Sequence, residues 1–242
     1  MINSRFKYYL ISQSIGLFTP GKIGQFSMIY LFKKEGMKLG EGAAIMILDK
    51  LITLVSLSFI VTAGLFFFIP PLDAIMYIIL IISLVILTYF FLVHKKSSCF
   101  IKKYILRKHS EKFEGISKTL SLIYNDHFGA VVSNLFITMA KWVLTSFIIL
   151  FFFYAIGIKV DLFYIFLITP IGVLVSLIPI SINGIGIREY AVVILYEIVG
   201  VDGASVIVVY LLNLIVNYFI GLISILLFLQ EFKITRFNSS SQ

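Results

Sequence analysis

An arginine and a glutamate stand side by side in the segment PISINGIGIREY, residues 179–190, directly after a Gly-Ile-Gly step. A helix that begins after Gly186 would have free backbone N–H groups at its N-terminus, and these groups favour an anion. Arg188 could add a charge-assisted hydrogen bond to a phosphate, while Glu189 would neutralise the guanidinium in the empty site. The alternative is a structural Arg188–Glu189 salt bridge. The segment therefore predicts a phosphate site or an ion pair.

A second glycine-containing break has similar chemistry. The segment LFTPGKIGQF, residues 17–26, places Pro20 and Gly21 before Lys22, and Gly24 follows two residues later. A short helix that starts after Gly24 would aim its N-terminus at the break, beside a lysine. Both breaks are therefore predicted to present positive charge to an anion. Within a membrane, the natural candidate for that anion is a lipid phosphate.

Further polar side chains recur at helical spacing inside apolar stretches. Charged groups within a membrane are costly and usually face a cavity or a partner. The alternative is that Ser, Thr and Asn side chains hydrogen-bond between packed helices, and that Lys141 pairs with Asp49 or Glu189 or snorkels toward the membrane surface. The predicted polar stripes are Asp49, Thr53 and Ser56 with Lys50 beside them; Asn134, Thr138, Lys141 and Thr145; and Asn213, Asn217, Gly221 and Ser224.

These patterns predict one lipid- or phosphate-binding site, with no catalytic residue and no cofactor. No metal site is expected either, because the three histidines lack the spacing of metal ligands. The predicted site residues are Gly21, Lys22, Gly24, Asp49, Lys50, Lys141, Asn183, Gly184, Gly186, Arg188, Glu189, Asn213 and Asn217.

The elements that position these residues belong to a membrane protein. The chain has 242 residues, of which 60% are hydrophobic and only 13% charged, and its mean hydropathy is +1.05. Soluble domains are about half apolar and a quarter charged. The net charge of +8 is typical of Lys and Arg collected in cytoplasmic loops. No motif for nucleic-acid binding accompanies that charge.

Four apolar runs are long enough to span a bilayer, which takes about 20 residues. They are residues 42–68, 72–93, 129–157 and 203–229. Residues 8–32 and 162–200 are also apolar, but the two breaks divide them into pieces too short to span, which predicts two re-entrant hairpins. Residues 94–127 contain eight Lys or Arg among scattered apolar residues, a pattern typical of an amphipathic helix on the membrane surface. The prediction is an all-α polytopic membrane protein.

The distribution of basic residues predicts the orientation. Lys33, Lys34 and Lys38 lie before the first span, and Lys233 and Arg236 lie after the last, so both regions are predicted to be cytoplasmic. The two broken stretches would then enter from opposite sides, which indicates an inverted repeat. The chain is predicted to form one membrane domain over residues 1–242, with a first repeat (8–93) that lacks N-terminal helices, the surface helix (94–127), a second repeat (128–230) and a cytoplasmic tail (231–242).

The chain resembles the flippase-like membrane domain of lysylphosphatidylglycerol synthases. The resemblance covers nearly the whole chain and rests on LFTPGKIGQF, on LDK at residues 48–50 and on PISINGIGIREY followed by VGVDGASVIVVYLLN. It implies roles for both pairs of glycines and for Arg188 and Glu189. The family usually has Glu-Arg where this chain has Asp49-Lys50, and a glycine is common in place of Asn183. The family also normally has one or two more helices ahead of the Pro-Gly motif.

The predicted function is the binding, and the translocation between leaflets, of an anionic phospholipid or a polyprenyl-phosphate carrier. The alternative is a membrane-embedded glycosyl- or aminoacyl-lipid transferase or its accessory subunit. We expect no synthase activity, since no soluble aminoacyl-transfer domain follows Leu229. The expected location is the plasma membrane. Beyond the lipid, the expected partner is a second copy of the chain or a biosynthetic enzyme, and nucleic acid is excluded.

Overall fold

A computed structural model of the chain describes residues 4–68, 70, 72–73, 75–79, 82–83, 119, 122–123, 126, 128–178 and 180–239. The described residues form helices and short connections without a β-strand, so the all-α prediction is confirmed. The predicted span at 72–93 and the predicted surface helix at 94–127 fall mainly outside the described residues.

The first half contains two short helices and one long helix. Helix α1 (Ser4–Leu17) ends at the first break, and a 3-10 helix (Ile23–Ser27) leads directly into α2 (Met28–Lys34). Helix α3 (Leu39–Phe68) follows after a short turn and has 30 residues. The pieces on either side of the break are therefore short, as the Pro and Gly residues predict.

The second half contains the same kind of broken pair between two long helices. Helix α4 (Phe128–Ala155) precedes α5 (Leu162–Ser176), the second break and α6 (Ile187–Ile198), and α7 (Gly203–Ser239) completes the chain. Helices α3, α4 and α7 are long and apolar enough to cross a membrane. They coincide with three of the four predicted spans, with helix ends that differ by a few residues.

The two breaks lie against each other and share one backbone conformation. Pro20 of the first break forms an isolated antiparallel β-bridge with Ile182 of the second. Each is followed by two residues in the left-handed region: φ is 56° and 57° at Gly21 and Lys22, and 52° and 77° at Asn183 and Gly184. The two breaks therefore meet at Pro20 and Ile182, with left-handed residues directly after the contact in each.

The buried core lies mainly in the second half. Phe153 of α4, Ile165 and Ile168 of α5, Tyr196 of α6 and Val206 of α7 are all fully buried and belong to one cluster. Lipid tails are as apolar as these side chains, so close van der Waals packing is the main force between the helices. Helix α5 is thereby held between α3, α4 and α6.

The first half is fastened to the second through helix α7. The Tyr218 hydroxyl donates a hydrogen bond of 2.9 Å to the Leu17 carbonyl oxygen at the end of α1. The Tyr218 ring also meets the Phe18 ring edge to face, with 5.0 Å between centroids. Beside them, Gly221 allows α1 to approach α7 closely at Ser14 and Leu17. These contacts fix the first break, which follows α1 directly, against the rest of the molecule.

Candidate functional site

A cavity of about 460 Å³ lies beside the first break, between α1, α3, α4 and the end of α5. We call it the polar chamber. Five predicted site residues line it: Gly21, Lys22, Asp49, Lys50 and Lys141. Further polar side chains in its wall are Tyr9, Gln13, Gln25, Thr53, Asn134 and Thr138. The structure therefore brings together polar residues from parts of the sequence that are more than a hundred residues apart.

Lys50 is held in the polar chamber by two neighbours, one of which is itself held by a third residue. Its Nζ donates a hydrogen bond of 2.6 Å to Gln25 Oε1, and it lies 3.2 Å from the carboxylate Oδ2 of Asp49. Gln25 Nε2 in turn donates to Gln13 Oε1 at 2.6 Å. These contacts hold the Lys50 ammonium in the chamber wall. Asp49 offsets one positive charge and does not neutralise the other lysines of the chamber.

Lys22 and Lys141 leave the polar chamber positively charged. Lys22, Lys50 and Lys141 all line this one cavity. Within the described part of the chain, the Asp49 carboxylate forms an ion pair with Lys50 and none with Lys141. The Lys141 ammonium lies 5.2 Å from the centre of the Trp142 ring. Three lysines against one aspartate in the lining make an environment that favours an anion.

Arg188 and Glu189 form a buried ion pair beside this chamber. Glu189 Oε1 accepts hydrogen bonds from Arg188 Nε at 2.9 Å and from Nη2 at 2.5 Å. Glu189 Oε2 accepts from the Gly186 backbone N–H at 2.6 Å. Each residue is only 8% exposed, and the Arg188 guanidinium carbon lies 5.7 Å from the centre of the Tyr210 ring. The geometry is that of the salt bridge that the sequence left as an alternative.

The second break positions the Arg188–Glu189 pair without lining the polar chamber. Gly184 has a φ of 77°, and a Cβ there would lie 2.6 Å from the Ser176 Cα. At Gly172 on the opposing helix, a Cβ would lie 2.6 Å from Val192 Cγ1. These two glycines let α5 and α6 pack closely over the arginine. None of Asn183, Gly184, Gly186, Arg188 and Glu189 is among the residues that line the chamber.

The polar stripe on α7 lies elsewhere. Asn217 Nδ2 donates hydrogen bonds to the Asn213 carbonyl oxygen at 2.7 Å and to Asn213 Oδ1 at 2.9 Å. Neither asparagine lines the polar chamber. Gly24 does not line it either, although its N–H donates to Thr19 Oγ1 at 2.8 Å and so helps to shape the break.

The sequence prediction missed Gln13 and Gln25. Each is one amide side chain in a stretch that was expected to be a hydrophobic hairpin, and no charge marks it. The one clue in the sequence is positional, since Gln25 follows the Gly24 of the first break directly; Gln13, 12 positions before Gln25, has no such clue.

A second cavity of about 370 Å³ adjoins the polar chamber. We call it the apolar chamber. It shares five residues with the polar chamber: Tyr9, Gln13, Asp49, Lys50 and Asn134. The rest of its lining is mainly hydrophobic and comes from α2, α3, the start of α4 and Ile123, with Ser12 of α1 as a further polar residue. Within the described part of the chain, no group of three His, Cys, Asp or Glu side chains is placed to hold a metal ion.

Comparison with known proteins gives one family. The model of the family described as the lysylphosphatidylglycerol synthase TM region matches residues 2–225. No curated protein and no solved structure matches the chain.

Proposed function

The chain belongs to the family of the lysylphosphatidylglycerol synthase TM region, and we propose that it binds an anionic lipid or a polyprenyl-phosphate carrier and moves it between membrane leaflets. The observation that carries the proposal is the excess of cations in the polar chamber. Lys22, Lys50 and Lys141 face a space of about 460 Å³ that holds a single carboxylate, Asp49. A phosphate is the matching ligand, because its charged oxygens accept hydrogen bonds from ammonium groups. Hydrogen bonds to charged groups contribute roughly 1.5–3 kcal/mol each.

The paired breaks support translocation rather than static binding. In transporters built from inverted repeats, broken helices meet near the bilayer midplane, and one repeat moves against the other around the site. Here Pro20 and Ile182 pair at matching positions of two short-helix segments, directly before the left-handed residues of each break. The polar chamber adjoins this contact through Gly21 and Lys22. We further propose the plasma membrane as the location, with a cytoplasmic C-terminal tail.

Replacement of one chamber lysine tests the proposal. We expect Lys141→Met to lower the affinity for phosphatidylglycerol about ten- to a hundredfold, since one charge-assisted contact is lost. Lys159→Met is the matched control, because Lys159 is exposed in the turn between α4 and α5 and does not line the chamber. Retained lipid is measured by native mass spectrometry. Translocation is measured in proteoliposomes with a fluorescent phosphatidylglycerol and a membrane-impermeant quencher.

Two results would count against the proposal. If the wild-type protein neither retains nor translocates an anionic lipid above the level of protein-free vesicles, the function is wrong. If Lys141→Met and Lys159→Met have equal effects, the polar chamber is not the binding site. A polyprenyl phosphate is tested in the same assays, since its phosphate offers the same chemistry as that of a phospholipid.

A further inference from the structure

The apolar chamber shares five lining residues with the polar chamber and differs from it in chemistry. Apart from those shared boundary residues and Ser12, its wall is built from hydrophobic side chains that include Phe32, Met46 and Ile52, all buried. No lysine other than the boundary residue Lys50 lines it. The charged and hydrophobic parts of the combined space are therefore separated along one direction, as they are in an amphiphile.

We infer that the two chambers bind one ligand together, with its phosphate among the lysines of the polar chamber and one hydrocarbon chain in the apolar chamber. This inference rests on the proposed function and narrows its substrate class. Pockets of about 300–1,000 Å³ hold one drug-sized molecule. A space of about 370 Å³ therefore suits a segment of one chain, whereas two complete acyl chains would not fit.

The boundary residues are suited to the junction between head and chain. Asp49 and Lys50 face both chambers, and so do Tyr9 and Asn134. The Lys50 ammonium is held by Gln25 on the polar side. A phosphate that binds Lys50 would therefore lie on that side. The neutral side chains of Tyr9 and Asn134 can contact the ester oxygen without attracting a second charge. A ligand whose phosphate lies in the polar chamber would thus place its first carbon atoms beside the hydrophobic wall of the apolar chamber.

A pair of alanines on α4 provides a matched test. Ala130 is exposed and lines the apolar chamber, so Ala130→Phe fills the chamber without removing a buried side chain. Ala140 is exposed on the same helix and lines neither chamber, which makes Ala140→Phe the control. The probes are inorganic phosphate and n-butyl, n-hexyl and n-octyl phosphate below their micelle-forming concentrations. Binding to the detergent-solubilised protein is measured by isothermal titration.

We expect each two-carbon extension to tighten binding to the wild-type protein about tenfold. Ala140→Phe should give the same series, and Ala130→Phe should reduce each step to less than about twofold while inorganic phosphate binds as before. A full chain-length series in Ala130→Phe would overturn the inference, because the chain would then lie outside the apolar chamber. Phosphate binding without any chain-length dependence would overturn it too, while the proposed function would stand. If none of the probes bound, both this inference and the proposed function would fail.

Discussion

At the scale of single residues, Arg188 and Glu189 form an ion pair that is not part of the lining of the polar chamber. Both side chains are buried, and the carboxylate is satisfied by the guanidinium and by the Gly186 N–H. A buried ion pair contributes little net stability over a well-packed apolar pair, but the loss of one partner leaves an uncompensated charge. The Glu189 carboxylate also accepts from the Gly186 N–H at the N-terminus of α6. An external anion would otherwise bind at that position.

We expect Arg188→Ala to lower the free energy of unfolding by roughly 3–5 kcal/mol, because Glu189 would remain buried without its partner. The double variant Arg188→Met/Glu189→Gln should recover a large part of that loss, since it removes both charges. Thermal unfolding in detergent gives the comparison. If Arg188→Ala instead kept its melting temperature and lost anionic lipid ten- to a hundredfold, the arginine would be a direct phosphate ligand.

The sequence predicted the charged residues that line the polar chamber, and it did not predict the glutamines that hydrogen-bond beside them. Lys22, Asp49, Lys50 and Lys141 stand out because a charge in an apolar stretch is costly and needs a reason. An amide gives no such signal, so Gln25 was not predicted although it holds Lys50 at 2.6 Å. Arg188 was predicted in the same site and does not line the polar chamber, because the direction of a side chain depends on packing that periodicity does not describe.

At the scale of elements, the two breaks depend on backbone conformations that most residues adopt poorly. Gly184 combines a left-handed φ of 77° with a position where an added Cβ would lie 2.6 Å from the Ser176 Cα. Asn183 and Lys22 adopt the same region with φ of 52° and 57°, where a side chain costs roughly 1–2 kcal/mol. The breaks are therefore strained connections that the surrounding helices stabilise.

We expect Gly184→Ala to destabilise the protein by more than about 2 kcal/mol, because the new methyl group adds a clash with Ser176 to the left-handed penalty. Gly129→Ala is the control: Gly129 lies in α4 with open space around it, and alanine there should stabilise by about 0.5–1 kcal/mol. Both are measured by thermal unfolding in detergent. Equal melting temperatures for the two variants would show that the second break relaxes freely.

The helices themselves were predictable, and the contact between the breaks was not. Residues 42–68, 129–157 and 203–229 were predicted from apolar length, and helices α3, α4 and α7 lie there. Proline and glycine punctuation located the breaks, since both residues interrupt helices for local steric reasons. The pairing of Pro20 with Ile182 joins distant segments, and no local pattern in one sequence specifies such a pairing.

At the scale of the whole molecule, the distribution of charge predicts a single orientation in the membrane. We expect a cysteine at Asp202 to react with a membrane-impermeant maleimide added outside intact cells, and a cysteine at Ser239 to react only after permeabilisation. The physical reason is the retention of Lys and Arg on the cytoplasmic side. Cys99 is replaced by serine in both variants, because it is the one native cysteine.

The labelling pattern also tests the inverted arrangement of the two halves. Helix α7 begins at Gly203 and reaches Ser239, so the two sites lie at opposite ends of one helix. Labelling of Ser239→Cys in intact cells, with protection of Asp202→Cys, would mean that the orientation is the opposite of the predicted one. Reaction of both sites from outside would mean that α7 does not cross the bilayer, and the membrane topology proposed for the second half would be wrong.

The bridge between Pro20 and Ile182 has a consequence for biogenesis. A ribosome that adds about 5–20 residues per second needs roughly ten to thirty seconds to synthesise the chain between these two positions. If the first break enters the bilayer during that interval, it does so without its partner, and unsatisfied backbone groups in hydrocarbon cost several kcal/mol each. A nascent first half in that position would need shelter, from the insertion machinery or in the interfacial layer, until translation delivers the second break.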